Sequence, residues 1–143
     1  MGESIKAGPS VLVVEDNESI RAALLLLLEQ AGFLAAGAAN GEEALRRLRG
    51  GPRPNLILLD LQMPVMDGWQ FRRRQTQDPA LAPIPVLVLS ADEDLEQKAA
   101  NLRAAGFLQK PVDFSTLLGL LRNYCRLTNG TGAGGEPAGA ARA

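Results

Sequence analysis

The chain has 143 residues, a net charge of −1 and no histidine. This length suits one domain with a buried core, and the charge is too small for a surface that tracks nucleic-acid phosphates. Without histidine, the chain carries no phosphohistidine, no histidine metal ligand and no histidine-activated nucleophile. The longest apolar run is too short to span a membrane, and the single cysteine, Cys125, permits no intramolecular disulfide. We therefore expect a cytoplasmic protein that neither inserts into membranes nor binds DNA.

Apolar runs and helical periodicity alternate five times along the chain. Residues 1–9 are predicted to form a flexible leader, and residues 128–143, rich in Gly and Ala, a disordered tail. Between them, strands are predicted at residues 11–14, 33–38, 56–59, 85–89 and 107–109. Helices are predicted at residues 18–31, 42–49, 68–77, 92–105 and 114–127. The alternation predicts one α/β domain over residues 10–127, a doubly wound, flavodoxin-like parallel sheet of order 2-1-3-4-5 with five helices.

Three of these helices carry side chains that could face solvent or a partner. The first helix has one stripe predicted to be buried, made of Ile20, Leu24, Leu27, Leu28 and Ala31. Leu25 and Leu26 lie off that stripe and form a candidate docking patch for a kinase. The third helix is predicted to be basic on its outer face, through Arg72, Arg73 and Arg74. Leu120 and Leu127 on the last helix leave dimerisation open, although no charge pattern supports it.

Chemically active side chains follow four of the five predicted strands. Glu15 and Asp16 end the first strand, Asp60 the third, Ser90 the fourth and Lys110 the fifth. In a doubly wound sheet these strand ends meet at one edge, where ligands bind. Three crowded carboxylates repel one another, and a divalent cation relieves that repulsion. An all-oxygen site of this kind suits Mg²⁺.

The same residues are suited to phosphoryl transfer. Asp60 is the candidate nucleophile, of the kind that forms an aspartyl-phosphate. Mg²⁺ and the Lys110 ammonium would neutralise the charge that develops on the phosphoryl oxygens, and the Ser90 hydroxyl could donate to one of them. Taken singly, each residue has an ordinary structural explanation as a helix cap, a turn former or a solvated loop charge. Their joint occurrence at the strand ends favours chemistry.

These motifs resemble the receiver domain of two-component response regulators, over about residues 10–127. The matching motifs are Glu15-Asp16, Asp60 with Gln62-Met63-Pro64 and Asp67-Gly68, Ser90-Ala91, and Lys110-Pro111. The resemblance implies that Asp60 is the phosphoacceptor, that Asp16 and Asp60 bind Mg²⁺ directly, that Glu15 binds it through water, and that the Gln62 carbonyl is a further ligand. It also implies that Ser90 and Phe107 form the switch pair, and that Gln62 and Asp92 occupy positions that tune hydrolysis.

Two features depart from the family pattern. Phe107 has no hydroxyl, so it can report the switch only by packing. Residues 102–107 are also about two residues shorter than the usual turn of this family. We therefore expect the fourth helix and the fifth strand to differ in geometry from those of other members.

The sequence thus predicts a single-domain response regulator that is not a turnover enzyme. A sensor histidine kinase or a histidine phosphotransfer protein would supply the phosphoryl group to Asp60, and an unknown downstream protein would bind the switched surface. One alternative is a receiver-like binding module that acts without phosphorylation. Another is an aspartate-nucleophile phosphohydrolase, which is disfavoured because Gln62 stands where such enzymes carry a second Asp.

Overall fold

The computed structural model describes residues 8–129 as a five-stranded parallel sheet with five helices. The strands are β1 (Ser10–Val14), β2 (Leu34–Ala38), β3 (Leu56–Asp60), β4 (Val86–Ser90) and β5 (Gly106–Gln109). The helices are α1 (Glu18–Gln30), α2 (Gly41–Gly50), α3 (Gly68–Gln77), α4 (Leu95–Asn101) and α5 (Phe114–Asn129). The strand order is β2-β1-β3-β4-β5, which confirms the predicted doubly wound, flavodoxin-like topology.

The sheet separates two hydrophobic layers. One face packs against α2, α3 and α4 around Phe71, and the other packs against α1 and α5 around Leu28 and Leu117. These three side chains are fully buried, and each contributes roughly 1.5–3 kcal/mol by leaving water. The central strand β3 is buried along its whole length, as its apolar sequence predicts. Parallel pairing of β3 with β1 and β4 places the predicted chemical residues at one edge of the sheet.

The buried stripe predicted for α1 is narrower in the structure. Leu24 and Leu28 are buried, but Ile20 is 41 % exposed and Leu27 is 36 % exposed. The two exposed residues border an open groove beside the loop that follows β5, so no element covers them within residues 8–129. The predicted patch of Leu25 and Leu26 is also wrong as a single surface. Leu26 is exposed, whereas Leu25 is half-buried and packs close to Gly37 of β2.

Only two of the three arginines predicted for the basic outer face of α3 are exposed. Arg73 and Arg74 are exposed, but Arg72 is half-buried and donates hydrogen bonds toward the end of α4. Helix α4 is also shorter than predicted, with seven residues instead of the expected stretch of 92–105. The Asp92 carboxylate accepts a hydrogen bond from Lys98 instead of opening the helix, and at the other end Arg103 takes a left-handed φ of 58° that stops helical continuation.

The last helix, α5, begins as predicted. The Asp113 carboxylate accepts hydrogen bonds from the Thr116 backbone N–H and hydroxyl, which satisfies a free donor of the first turn. Leu120 is buried against the α1 side of the sheet, so it cannot contribute to a dimer surface as the sequence left open. The helix continues to Asn129, two residues past the predicted end. Residues 1–7 of the predicted leader and 130–143 of the predicted tail lie outside the described residues.

None of the described helices has both the length and the apolar character that a membrane-spanning helix requires.

Candidate functional site

The carboxylates predicted to cluster lie together at the C-terminal ends of β1 and β3. Val14 pairs with Leu59 across these two strands, so the residues that follow them, Glu15 and Asp60, are neighbours at the sheet edge. One carboxylate oxygen from each of Glu15, Asp16 and Asp60 lies within 4.8 Å of the other two. Three oxygen donors at this separation fit a hard divalent cation such as Mg²⁺.

Burial and repulsion make the Asp60 carboxylate costly to ionise. Asp60 is 6 % exposed and Glu15 is 2 % exposed, whereas Asp16 lies on the exposed rim. Burial, and then the negative charge of Glu15, raises the pKa of Asp60 to about 6, although Lys110 and the Gln62 backbone N–H act in the opposite direction. A cation among these oxygens would lower the cost, which is a second reason why the residues present fit a metal site.

Lys110 brings a positive charge from the end of β5 to the two buried carboxylates. Its Nζ donates to Glu15 Oε1 at 2.9 Å and lies 3.5 Å from Asp60 Oδ1. Burial acts to lower the pKa of Lys110, but the hydrogen bond to Glu15 and the nearby carboxylates raise it above its ordinary value. The Lys110 backbone N–H donates to the Ser90 carbonyl at 2.9 Å, which fixes the lysine against β4. The ammonium is therefore shared by Glu15 and Asp60.

The turn after Asp60 brings the start of α3 against the site. A methyl group at Gly68 would stand 2.6 Å from the Asp60 carbonyl oxygen, so only glycine permits this approach. Asp67 and Gln70 form a reciprocal capping box at the start of α3, with hydrogen bonds of 2.9 and 3.0 Å. Val65 takes a left-handed φ of 66° in the same turn. Asp67-Gly68 therefore shapes the turn that carries Gln62, the residue predicted to bind the metal through its carbonyl.

A comparison with known families agrees with this geometry. The family model of the response regulator receiver domain matches residues 11–122. The chain belongs to the response regulator receiver family. The motifs quoted from the sequence are thus placed at the sheet edge of a receiver, and the predicted family is confirmed.

Similar proteins include both longer regulators and isolated receivers. The transcriptional regulatory protein AfsQ1 from Streptomyces coelicolor is 36 % identical over 120 residues, which cover 82 % of this chain and 52 % of AfsQ1. The chain therefore spans about half the length of this relative. A response regulator receiver protein from Pseudomonas putida is 36 % identical with a TM-score of 0.76, covering 83 % of this chain and 99 % of that one. TrrA from Thermotoga maritima, solved in complex with Mg²⁺-BeF, is 25 % identical with a TM-score of 0.72. The match covers 81 % of this chain and 98 % of the TrrA chain.

Ser90 reaches the same edge of this receiver from β4. Asp60 pairs with Leu89 across β3 and β4, so Ser90 lies one residue beyond the partner of Asp60. Its side chain is buried, and its Oγ accepts a hydrogen bond from the Asp92 backbone N–H at 3.1 Å. The Ser90 side chain also contributes a hydrogen bond to the Asp92 carboxylate, so the predicted contact with a phosphoryl oxygen would exchange one acceptor of the hydroxyl for another.

A set of polar contacts that the sequence did not predict joins the loop after β3 to the segment before α4. The Gln62 side-chain amide donates to Asp92 Oδ1 at 3.1 Å, and Lys98 Nζ donates to Asp92 Oδ2 at 2.9 Å. The hydrogen bond from Lys98 is the main reason that the pKa of Asp92 lies below its usual value. Sequence reasoning missed Lys98 because it placed residues 92–105 in one helix, where positions six apart do not meet.

Phe107 of β5 is partly buried, on the face of the sheet that carries α3 and α4. It pairs with Val88 across β4 and β5 and is half-buried against the layer that contains α3 and α4. Leu102 and Trp69 pack against the same layer. The predicted switch role of Phe107 stays a prediction, because the structure shows one arrangement of this side chain.

An apolar groove lies beside the charged site of the receiver. It has a volume of about 500 Å³ and runs between the exposed side of α1 and the loop that leads into α5. Ile20 and Leu27 line it on the α1 side, Val112 and Phe114 line it on the α5 side, and Lys110 stands at its boundary with the carboxylates. A partner bound in this groove would have direct access to the carboxylate cluster.

Proposed function

We propose that the receiver accepts a phosphoryl group on Asp60 from the phosphohistidine of a sensor histidine kinase or a histidine phosphotransfer protein. The observation that carries this proposal is the arrangement around Asp60, whose carboxylate lies in an acidic cluster 3.5 Å from the Lys110 ammonium. Because these 143 residues contain no histidine, the donor histidine lies outside them. We also propose that this transfer takes place in the cytoplasm, the location expected from the sequence.

The transfer exchanges one bond for another. An Asp60 carboxylate oxygen forms a bond to phosphorus while the bond from phosphorus to the imidazole nitrogen breaks, and the imidazole keeps the electron pair. The nucleophile must be ionised, and a pKa of about 6 leaves most Asp60 side chains charged at neutral pH. Lys110 stands where it can neutralise charge on the equatorial oxygens.

Mg²⁺ is the proposed cofactor. Asp16 and Asp60 would bind it directly, Glu15 through water, and the Gln62 carbonyl would be a further ligand. When bound, the ion neutralises charge on the acceptor and on the phosphoryl oxygens. The three carboxylates support this assignment by their mutual distances and by the raised pKa of Asp60.

The proposed output is a change of surface, not turnover of a substrate. Ser90 would donate its hydroxyl to the new phosphoryl group, and Phe107 would turn inward toward the space this movement opens. A downstream protein would then bind the altered face. No second Asp stands two residues after Asp60, and the Gln62 amide there contacts Asp92 instead of facing a leaving group. We therefore do not favour a phosphohydrolase.

The groove beside α1 is the proposed docking surface for the phosphoryl donor. Its apolar lining would bury the face of a partner helix while the donor histidine approaches Asp60 past Lys110. Ile20 and Leu27 replace the Leu25 and Leu26 pair as the residues that carry this surface. This revision follows from their exposure and from their position in the groove wall.

Phosphoramidate tests the acceptor assignment, because it presents the same phosphorus–nitrogen bond as phosphohistidine. After incubation of the receiver with phosphoramidate and Mg²⁺, reduction of the acyl phosphate with borohydride and peptide mapping should place one label at Asp60. No label, or a label at another residue, would contradict the proposal. Continued release of phosphate far beyond one equivalent would instead indicate a turnover enzyme.

A further inference from the structure

Arg72 of α3 binds the C-terminal end of α4. Its Nε donates to the Leu102 carbonyl at 2.9 Å, and its Nη2 donates to the Arg103 carbonyl at 2.9 Å. Helix α4 has only seven residues, so it is too short to be stable alone, and Arg72 contacts the two residues that directly follow it. The guanidinium of Arg72 supplies both donors in a fixed planar geometry, so the turn after α4 is joined to α3.

Gln75 extends this contact to the segment before β4. Arg72 Nη1 donates to Gln75 Oε1 at 2.8 Å, and Gln75 Nε2 donates to the Leu81 and Ile84 carbonyls at 2.9 and 3.0 Å. Gln75 is 0 % exposed, and both ends of its amide are satisfied. Arg72 and Gln75, here called the α3 clasp, thus form one continuous network from the segment before β4 to the end of α4.

The turn held by the clasp is not in a relaxed conformation. Arg103 has a left-handed φ of 58°, which is unfavourable for a residue with a side chain, and its positive charge lies near that of Arg72. Two backbone hydrogen bonds also fix this turn, from the Ala104 N–H to the Ala99 carbonyl at 3.0 Å and from the Ala105 N–H to the Val86 carbonyl at 2.8 Å. The turn therefore keeps its shape because surrounding contacts impose it.

The clasped turn leads directly into the predicted switch residue. Phe107 follows Ala105 by two residues, and Leu102 and Phe107 pack against the same hydrophobic layer as Trp69 of α3. A shift of the turn would therefore move both Leu102 and Phe107 relative to that layer. Because packed cores adopt discrete arrangements, such a turn is suited to two states and not to gradual deformation.

We propose that Arg72 is a positioning residue that holds the turn at residues 102–105, and with it Phe107, in the resting arrangement. This inference rests on the proposed phosphoacceptor function. The clasp contacts are present in the resting arrangement and are weakened when Phe107 turns inward. Phosphorylation therefore acts against the clasp, and loss of the clasp favours the switched arrangement.

The direct test is the affinity for BeF₃⁻, a stable mimic of the phosphoryl group, measured with Mg²⁺ through the fluorescence of Trp69, the sole tryptophan. We expect Arg72→Met to bind BeF₃⁻ about tenfold more tightly than the parent, the effect of one charge-assisted hydrogen bond present in only one of two states. Arg73→Met is the matched control. Arg73 is the next residue of the same helix, and its exposed guanidinium has no partner among residues 8–129. The affinity of the Arg73→Met variant for BeF₃⁻ should equal that of the parent.

A purely structural role for Arg72 would lower the unfolding stability and leave the affinity for BeF₃⁻ unchanged, which would overturn the inference. Weaker binding by Arg72→Met would overturn it too.

Hydrogen exchange of the parent decides the question if that variant does not fold. BeF₃⁻ should speed exchange of the Ala104 and Ala105 amides, and unchanged protection there would refute the clasp. A parent that shows no BeF₃⁻ binding at all would overturn the phosphoacceptor function and the clasp with it.

Discussion

At the scale of single residues, Asp60 links the stability of the receiver to its chemistry. Its pKa of about 6 in the folded protein lies above the ordinary value of 3.8, mainly because the carboxylate is buried and then because Glu15 repels it. The folded state therefore binds more protons than the unfolded state between these two values. The free energy of unfolding therefore falls as the pH rises from 3.8 to about 6. Above this range the folded protein bears the full cost of an ionised, buried Asp60.

The Asp60→Asn variant should reveal that cost. At pH 7.5 without divalent cations we expect its free energy of unfolding to exceed that of the parent by roughly 2–3 kcal/mol, because each pKa unit corresponds to about 1.4 kcal/mol. Most of this gain should vanish at pH 3.5, where the folded parent is protonated. Urea denaturation at both pH values measures the difference. Asp16→Asn on the exposed rim is the matched control and should gain less. A parent more stable than Asp60→Asn at pH 7.5 would contradict the prediction.

At the scale of elements, the agreement between sequence and structure depends on local signals. The bounds of α3 are predicted correctly because Asp67 and Gln70 cap it and Gly68 permits its close start. Helix α4 has no such signal at its start, since Asp94 makes no side-chain capping hydrogen bond there. The Lys98 contact with Asp92 before α4 and the Arg72 contact with Leu102 after it depend on the folded structure, which periodicity does not encode.

Gly68→Ala tests the turn between β3 and α3. The added methyl group would lie 2.6 Å from the Asp60 carbonyl oxygen and 2.8 Å from Leu61 Cα, so the backbone of the turn must shift. We expect a loss of about 1–3 kcal/mol in unfolding free energy, measured by thermal or urea denaturation. Gly50→Ala at the end of α2, where nothing lies within 4 Å of the new methyl group, should change stability little. Equal effects of the two substitutions would refute the steric account.

Ile20→Ser with Leu27→Ser tests the groove beside α1. Both side chains are at least one-third exposed, so we expect stability to change little while the apolar docking surface is lost. The rate of phosphoryl transfer from any phosphohistidine protein that labels the parent should fall at least tenfold, whereas labelling by phosphoramidate should stay the same. Leu34→Ser, an exposed apolar position on β2 away from the groove, is the control. Unchanged transfer in the double variant would exclude this groove as the docking surface.

At the scale of the whole molecule, the topology is what makes the site predictable. The residues gathered around Asp60 follow separate strands, and parallel strands of a doubly wound sheet present their ends together. Composition and spacing are therefore enough to predict that Glu15, Asp60 and Lys110 share one site. The Arg72–Gln75 network is different, because a polar residue on a helix usually indicates a solvent-facing position. Only the packed structure shows that these two side chains satisfy carbonyls of two neighbouring segments.

The measurement that tests the central claim most directly is the intact mass of the receiver after incubation with acetyl phosphate. Parent and Asp60→Asn are compared with Mg²⁺ and with EDTA. We expect the parent to gain the mass of one phosphoryl group only when Mg²⁺ is present, and Asp60→Asn to gain none. If the parent gains nothing while Mg²⁺ binding is shown separately, the receiver acts without phosphorylation, and the acceptor role of Asp60 is refuted.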